Sequence, residues 1–186
     1  MHDDQIIARA ARVRLLLLDV DGVLTDGLLY FDERHDAMKT FFTQDGLGIA
    51  LLRSQGIQIG IITGRNSEIV AARALDLKID HVYQGRLNKL AAFEELCAAL
   101  SLTPDQVAYM GDDIVDLSIL SRVGLAATVK NHHPSVLPYC HFVSKFKGGR
   151  GAVRELADLI LSAQGLYEVI VKSAVQTGEL FIKVSG

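Results

Sequence analysis

The sequence predicts an α/β fold, a parallel sheet with helices packed on both of its faces. Short, almost wholly apolar runs bounded by turn residues recur along the chain, as strands buried on both faces require. Segments with helical spacing alternate with them, and that order favours parallel strands joined by crossover helices. The length of 186 residues, 49% hydrophobic and 22% charged, fits one globular domain with one substantial core.

The elements follow in order. A short polar helix is expected over 3–12, then a strand over 14–20, whose Leu15-Leu16-Leu17-Leu18 is the most apolar stretch of the chain. Further strands are expected over 57–63, 81–83, 107–110, 125–129 and, less plainly, 142–143. Helical spacing occupies 46–54, 67–75, 89–100, 114–123 and 152–163. Residues 27–43 interrupt the alternation: Leu28-Leu29-Tyr30-Phe31 and Met38-Lys39-Thr40-Phe41-Phe42 are β-prone, with a polar link between them. This is a hairpin inserted after the first strand. Two strands with exposed apolar side chains are poorly stable alone, so the arm is expected to be an oligomer contact. Residues 165–186 form an extended tail. The result is a three-layer, Rossmann-like parallel sheet in a single domain spanning 1–186.

Composition excludes several classes. With 19 Lys+Arg against 22 Asp+Glu the net charge is −3, so no cationic footprint for nucleic acid is present. No apolar run approaches the roughly 20 residues of a membrane span. The start, Met1-His2-Asp3-Asp4-Gln5, does not read as a secretory signal. Cys97 and Cys140 are too few for a disulfide framework. A cytoplasmic protein is the expectation.

In an open parallel sheet, ligands bind at the carboxyl ends of the strands. Those ends carry Asp19-Val20-Asp21-Gly22, Thr63-Gly64-Arg65, the segment leading into Lys89, and Gly111-Asp112-Asp113 followed by Asp116. Carboxylates pressed together imply a hard divalent cation, held directly by Asp19 and Asp112 and by the backbone carbonyl of Asp21. Magnesium suits such a site and shares its coordination with a substrate phosphate. One carboxylate can attack phosphorus, and Asp21 is placed to protonate the leaving oxygen and then activate water. The Thr63 hydroxyl can hold a phosphoryl oxygen, and Lys89 neutralises charge that develops there. Taken singly these residues are caps, turns and solvated lysines. Their joint occurrence at successive strand ends is what points to chemistry.

These motifs resemble those of the haloacid dehalogenase superfamily of phosphotransferases. Asp26-Gly27, the hairpin, Asp45-Gly46, Ile61-Ile62-Thr63-Gly64-Arg65, Tyr83-Gln84-Gly85, Gly111-Asp112-Asp113 and Gly148-Gly149-Arg150-Gly151-Ala152-Val153-Arg154-Glu155 extend the likeness. They resemble the 3-deoxy-D-manno-octulosonate 8-phosphate phosphatase family. The resemblance implies a magnesium-dependent, tetrameric enzyme that makes a sugar acid for bacterial lipopolysaccharide. It implies Asp19 as nucleophile, Asp21 as acid/base, and both with Asp112 as metal ligands. Asp113 and Asp116 are expected to support those ligands from behind. Substrate contacts carried over by position fall on Phe42, Thr43, Gln44, Asp45, Gly46, Gly64, Arg65, Arg73 and Lys89, with Asp21 beside them. Two positions depart from the family pattern, because Gln44 and Ala50 stand where it carries arginines. A nine-carbon sugar-acid 9-phosphate is therefore an alternative substrate. Transfer of the phosphoryl group to a sugar hydroxyl is a further option. A non-catalytic assembly subunit is the reading from another class.

Many members of that superfamily carry a cap domain over the site. Only 44 positions separate Asp19 from Thr63, and 26 separate Thr63 from Lys89. Neither gap has room for a domain of at least roughly 50 residues. A capless enzyme must exclude water by other means: either the substrate itself covers the site or neighbouring subunits do, and the apolar hairpin favours the second. The run Lys145-Phe146-Lys147-Gly148-Gly149-Arg150-Gly151 reads as a mobile basic strip: either a turn capping the last helix or a loop that meets an anionic substrate. His132 and His133 are expected at the surface or at a helix start rather than as metal ligands, and Cys97 in the core.

Overall fold

The structure is a computed structural model that describes residues 3–33 and 35–181, with the side chains of 4–33 and 38–181. Its sheet has six parallel strands in the order β5-β4-β1-β6-β7-β8. These are β1 (Leu15–Leu18), β4 (Gln58–Ile62), β5 (His81–Tyr83), β6 (Val107–Met110), β7 (Leu125–Thr128) and β8 (Phe142–Val143). The central strands are short and buried on both sides, so the expected runs lose their outer residues to loops. Val20, for example, belongs to the turn after β1.

The alternation of side chains along β1 divides the core into two layers. Leu16 and Leu18 pack with α1 (Asp3–Ala10), α2 (Thr43–Ser54), α3 (Glu68–Asp76), α6 (Ala152–Ala163) and α7 (Tyr167–Thr177). Leu15 and Leu17 pack with α4 (Lys89–Leu100) and α5 (Leu117–Leu120), where Cys97 is a core residue as expected. This period-two division is why an uninterrupted leucine run works as a strand sandwiched between helices.

Strand order reverses on either side of β1, which lies between β4 and β6. The crevice above the carboxyl ends of β4, β1 and β6 is where such sheets place their ligands.

The hairpin is present but smaller than expected. β2 (Tyr30–Asp32) and β3 (His35–Met38) pair antiparallel in a sheet of their own, while Leu28-Leu29 and residues 39–42 lie outside the ladder. Leu28, Leu29, Phe31 and Met38 are exposed. The helix expected over 114–123 is broken into a turn over Ile114–Asp116 and the short α5. The Asp116 carboxylate accepts the Asp112 and Asp113 N–H groups, which pulls the start of the segment into a tight turn. In the tail, α7 packs Ile170 into the core. Residues 182–186, the end of the expected tail segment, lie outside the described residues.

Among the described residues, no helix is long and apolar enough to cross a membrane. The elements between Asp19 and Lys89 are the hairpin, α2, β4, α3 and β5, with no cap domain among them.

Candidate active site

The chain leaves β1 at Asp19, whose N–H donates to the Met110 carbonyl of β6 at 3.0 Å, and turns tightly through Val20–Leu24. Gly22 adopts φ +94, and a Cβ there would overlap the Asp112 carboxylate. Glycine therefore allows the two strand ends to close on each other. After β4, the Thr63 N–H donates to the Tyr83 carbonyl at 2.9 Å, and the Arg86 N–H donates back to the Thr63 carbonyl at 3.0 Å. This lacing sets the Thr63 loop against the segment that leads into Lys89 at the start of α4.

Asp19, Asp21, Thr63, Gly64, Arg65, Lys89, Asp112 and Asp113 line one cavity of about 220 Å³, together with Arg86, Leu87 and Val115. Lys89 is buried, and its Nζ lies 2.9 Å from Asp19 and 2.7 Å from Asp116. Burial pulls its pKa down, but the two carboxylates outweigh burial and hold it above the ordinary lysine value. Burial pushes Asp19 up to about 6, with Lys89 opposing and Asp116 adding to the rise. Burial, reinforced by Asp19, pushes Asp112 up to about 7. Carboxylates crowded into one buried pocket, where each disfavours the other's charge, are a donor set suited to a hard divalent cation.

Asp19, Asp112 and Asp116 place carboxylate oxygens within 4.8 Å of one another. Asp116, however, is already engaged. Its Oδ1 accepts from Lys89 at 2.7 Å and from the Tyr109 hydroxyl at 2.5 Å. Its Oδ2 accepts the Asp112 and Asp113 N–H groups at 2.9 and 3.1 Å. Four donors occupy the roughly four lone-pair sites of a carboxylate, so Asp116 orients the site while Asp19 and Asp112 remain the oxygens available to a cation. Asp113 spends its own side chain on capping the Ile114 N–H at 2.7 Å.

The remaining sequence-expected residues lie off this cavity. Phe42 precedes α2, and Thr43 and Gln44 are exposed on its first turn. Gln44 borders a separate cleft shared with Phe146 and Arg154. Asp45 is buried and accepts the Gly151 and Arg154 N–H groups at 3.3 and 2.8 Å, joining the start of α2 to the start of α6. Burial raises its pKa. Gly46 leaves space for the Arg73 guanidinium, which also lies 5.6 Å from the Phe41 ring and bonds Asp76 at 2.6 Å.

Two residues with clear roles carry weak sequence signals. Lys39, just after β3, is buried, and its Nζ lies 2.6 Å from Asp21 Oδ1. In a β-prone run it looks like any solvent-facing lysine. Tyr109 is fully buried in β6, and its hydroxyl reaches Asp116 and, at 3.4 Å, Lys89. A tyrosine inside a wholly apolar strand needs a partner for its hydroxyl, and that was the available signal.

The basic strip packs against the turn after β1 through its glycines. Gly148 and Gly149 are buried; the Gly149 N–H donates to the Val23 carbonyl at 2.8 Å, and the Gly148 N–H to Asn131 Oδ1 at 3.0 Å. A Cβ on Gly148 would overlap the Gly22 carbonyl oxygen, so only glycine lets this backbone brace the turn that carries Asp21. Gly151 at the end of the strip caps α6, the first of the two expected roles. His133 caps the turn over Pro134–Tyr139. Burial pushes the Cys140 thiol up to about 12, which leaves it a poor nucleophile.

Comparison with known proteins places this geometry among phosphatases. The family model of haloacid dehalogenase-like hydrolases matches residues 78–156. The 3-deoxy-D-manno-octulosonate 8-phosphate phosphatase of Yersinia pestis is 48% identical over 165 residues, 89% of this chain and 88% of that one. Its crystal structure matches with a TM-score of 0.87. The enzyme of the same name from Escherichia coli K12 is 46% identical over 160 residues, 86% of this chain and 85% of that one. The Moraxella catarrhalis phosphatase, crystallised with magnesium, phosphate and the sugar acid, is 36% identical. It matches over 92% of this chain and 99% of its own, with a TM-score of 0.90.

Proposed function

This chain belongs to the 3-deoxy-D-manno-octulosonate 8-phosphate phosphatase family of haloacid dehalogenase-like hydrolases, and on that footing we propose that it hydrolyses the 8-phosphate of that sugar acid with magnesium. The observation that carries the reading is the meeting of Asp19, Asp21, Thr63, Lys89 and Asp112 around one cavity. A non-catalytic subunit would have no use for that arrangement. Asp19 and Asp112 would hold the ion, with the Asp21 backbone carbonyl as a third protein ligand. Bound there, magnesium neutralises phosphoryl oxygens and lets the anionic nucleophile approach.

The chain's own residues supply the rest. An Asp19 carboxylate oxygen attacks phosphorus in line with the ester bond, and the ester oxygen leaves with a proton from Asp21. The product is the free sugar acid and an aspartyl-phosphate on Asp19. Asp21, now a carboxylate, takes a proton from water as that water attacks phosphorus, which releases phosphate and restores Asp19. Lys89 balances the charge of Asp19 from 2.9 Å, and Asp116 holds the lysine in place. The Thr63 hydroxyl steadies a phosphoryl oxygen, and Arg65 and Gly64 line the route by which the ester enters.

The decisive assay is phosphate release from the eight-carbon 8-phosphate and the nine-carbon 9-phosphate, each with magnesium and with excess chelator. Higher kcat/KM on the eight-carbon ester and loss of turnover with chelator are expected. Preference for the nine-carbon ester would reassign the substrate, and Gln44 and Ala50 are the positions where that difference would arise.

The same reading makes the protein a one-domain, cytoplasmic homo-oligomer, a tetramer by family resemblance. Leu28 and Phe31 are 59% and 60% exposed on the hairpin, a cost that burial between subunits removes. With no cap domain among the described residues, neighbouring subunits would shield the site. Sedimentation beside activity is expected to show an assembly larger than a monomer; a fully active monomer would remove this part of the reading.

A further inference from the structure

We propose that Lys39 is a positioning residue for the acid/base step, and that it carries the hairpin's influence into the active site by holding one oxygen of Asp21. The proposal rests on the reading of Asp21 as the acid/base.

Lys39 follows directly on β3, at the base of the hairpin, yet its side chain is only 2% exposed. A buried ammonium is costly unless paired, and here its Nζ lies 2.6 Å from Asp21 Oδ1. The Asp21 side chain is 22% exposed and lines the cavity. The two carboxylate oxygens are thereby distinguished. Oδ1 is taken by a short, charge-assisted bond from a buried lysine, while among the described residues Oδ2 faces the Arg65 Nε, at 3.8 Å. Oδ2 is therefore the oxygen that exchanges the proton with the leaving group and with water.

Arg65 ties to the hairpin as well, since its guanidinium carbon lies 5.8 Å from the centre of the Phe31 ring on β2. Asp21 thus sits between two cations, Lys39 at the base of the hairpin and Arg65 of the loop after β4, which touches the hairpin at Phe31. Placement within a fraction of an ångström matters for proton transfer, because a general acid acts only within hydrogen-bond reach of the oxygen it protonates. An element that appears remote from the chemistry sets that placement.

The test compares leaving groups. An alkoxide such as that of the sugar acid must be protonated as it departs, whereas p-nitrophenolate departs without a proton. For K39M, the loss in kcat/KM is expected to be about tenfold or more greater on the sugar-acid phosphate than on p-nitrophenyl phosphate. D21N should show the same selective loss, and adding K39M to D21N should cost little more on the sugar-acid ester, because both changes remove one function. Equal losses of K39M on the two esters, or additive losses in the double variant, would overturn the proposal. Equal losses for D21N itself would instead overturn the acid/base reading of Asp21. Should K39M fail to fold, K39R keeps the charge but shifts the contact: a changed ratio between the esters is expected, and an unchanged one overturns the proposal.

Discussion

Asp19→Asn is expected to lower turnover of the sugar-acid phosphate by roughly 10⁴-fold or more, the scale on which removal of a covalent nucleophile is felt. The amide keeps the shape of the carboxylate but cannot attack phosphorus. It also withdraws one of the two charges that hold Lys89, whose Nζ lies 2.9 Å from Asp19 and 2.7 Å from Asp116. Because Asp116 keeps its hold on the ammonium, the variant should fold, and the loss should appear in kcat. Steady-state phosphate release with magnesium, beside a thermal melt, measures both. Retained turnover in a folded variant would remove the aspartyl-phosphate mechanism.

Asp116→Ala is expected to damage stability and activity together. The carboxylate is fully buried and accepts from Lys89, Tyr109 and two backbone N–H groups. Its removal takes the acceptor from those donors and leaves the buried ammonium with Asp19 as its one charged partner among the described residues. Breaking one partner out of a buried charged pair costs about 3–5 kcal/mol, which for a chain of this size is a fall of roughly 6–20 °C in Tm. The Asp112 and Asp113 N–H groups lose their common acceptor, so the loop that presents Asp112 to the cation should loosen. Magnesium titration by calorimetry should then show weakened binding even where the variant remains folded. An unchanged melt with unchanged magnesium affinity would show that Asp116 does not organise this rim.

The strand ends illustrate what can be read from residues alone. Asp19, Thr63 and Asp112 each close an apolar run, and a parallel sheet brings such ends to one edge, so their meeting could be inferred. Lys89 opens a helix at the required distance along the chain. Asp116 could be expected behind the ligands, but its four donors could not, because two are backbone N–H groups aligned only when the segment over 114–116 turns tightly. That same turn is why the helix expected there is broken.

The contacts of residues 42–46 and of Arg73 show the opposite limit. Motif position suggested the substrate; what only the folded chain shows is that Asp45 bonds the start of α6 and that Arg73 lies beside Gly46 and Phe41. The basic strip is a related case. Three glycines look like freedom in a sequence, but two of them are there because Gly22 and its neighbouring turn leave no room for a side chain.

The sequence by itself determined the α/β class, the order of elements, the absence of room for a cap, and the carboxylates and lysine that meet at one cavity. Each depends on periodicity, on spacing or on the identity of residues at strand ends, all of which are local. Tertiary structure alone decided which oxygen of Asp21 Lys39 takes, which four donors Asp116 accepts, and that the lysine at the base of the hairpin turns inward. Those choices depend on groups far apart in the chain, Lys39 and Asp21, Tyr109 and Asp116, Gly148 and Gly22. Burial makes each contact nearly obligatory once the fold has brought its partners together.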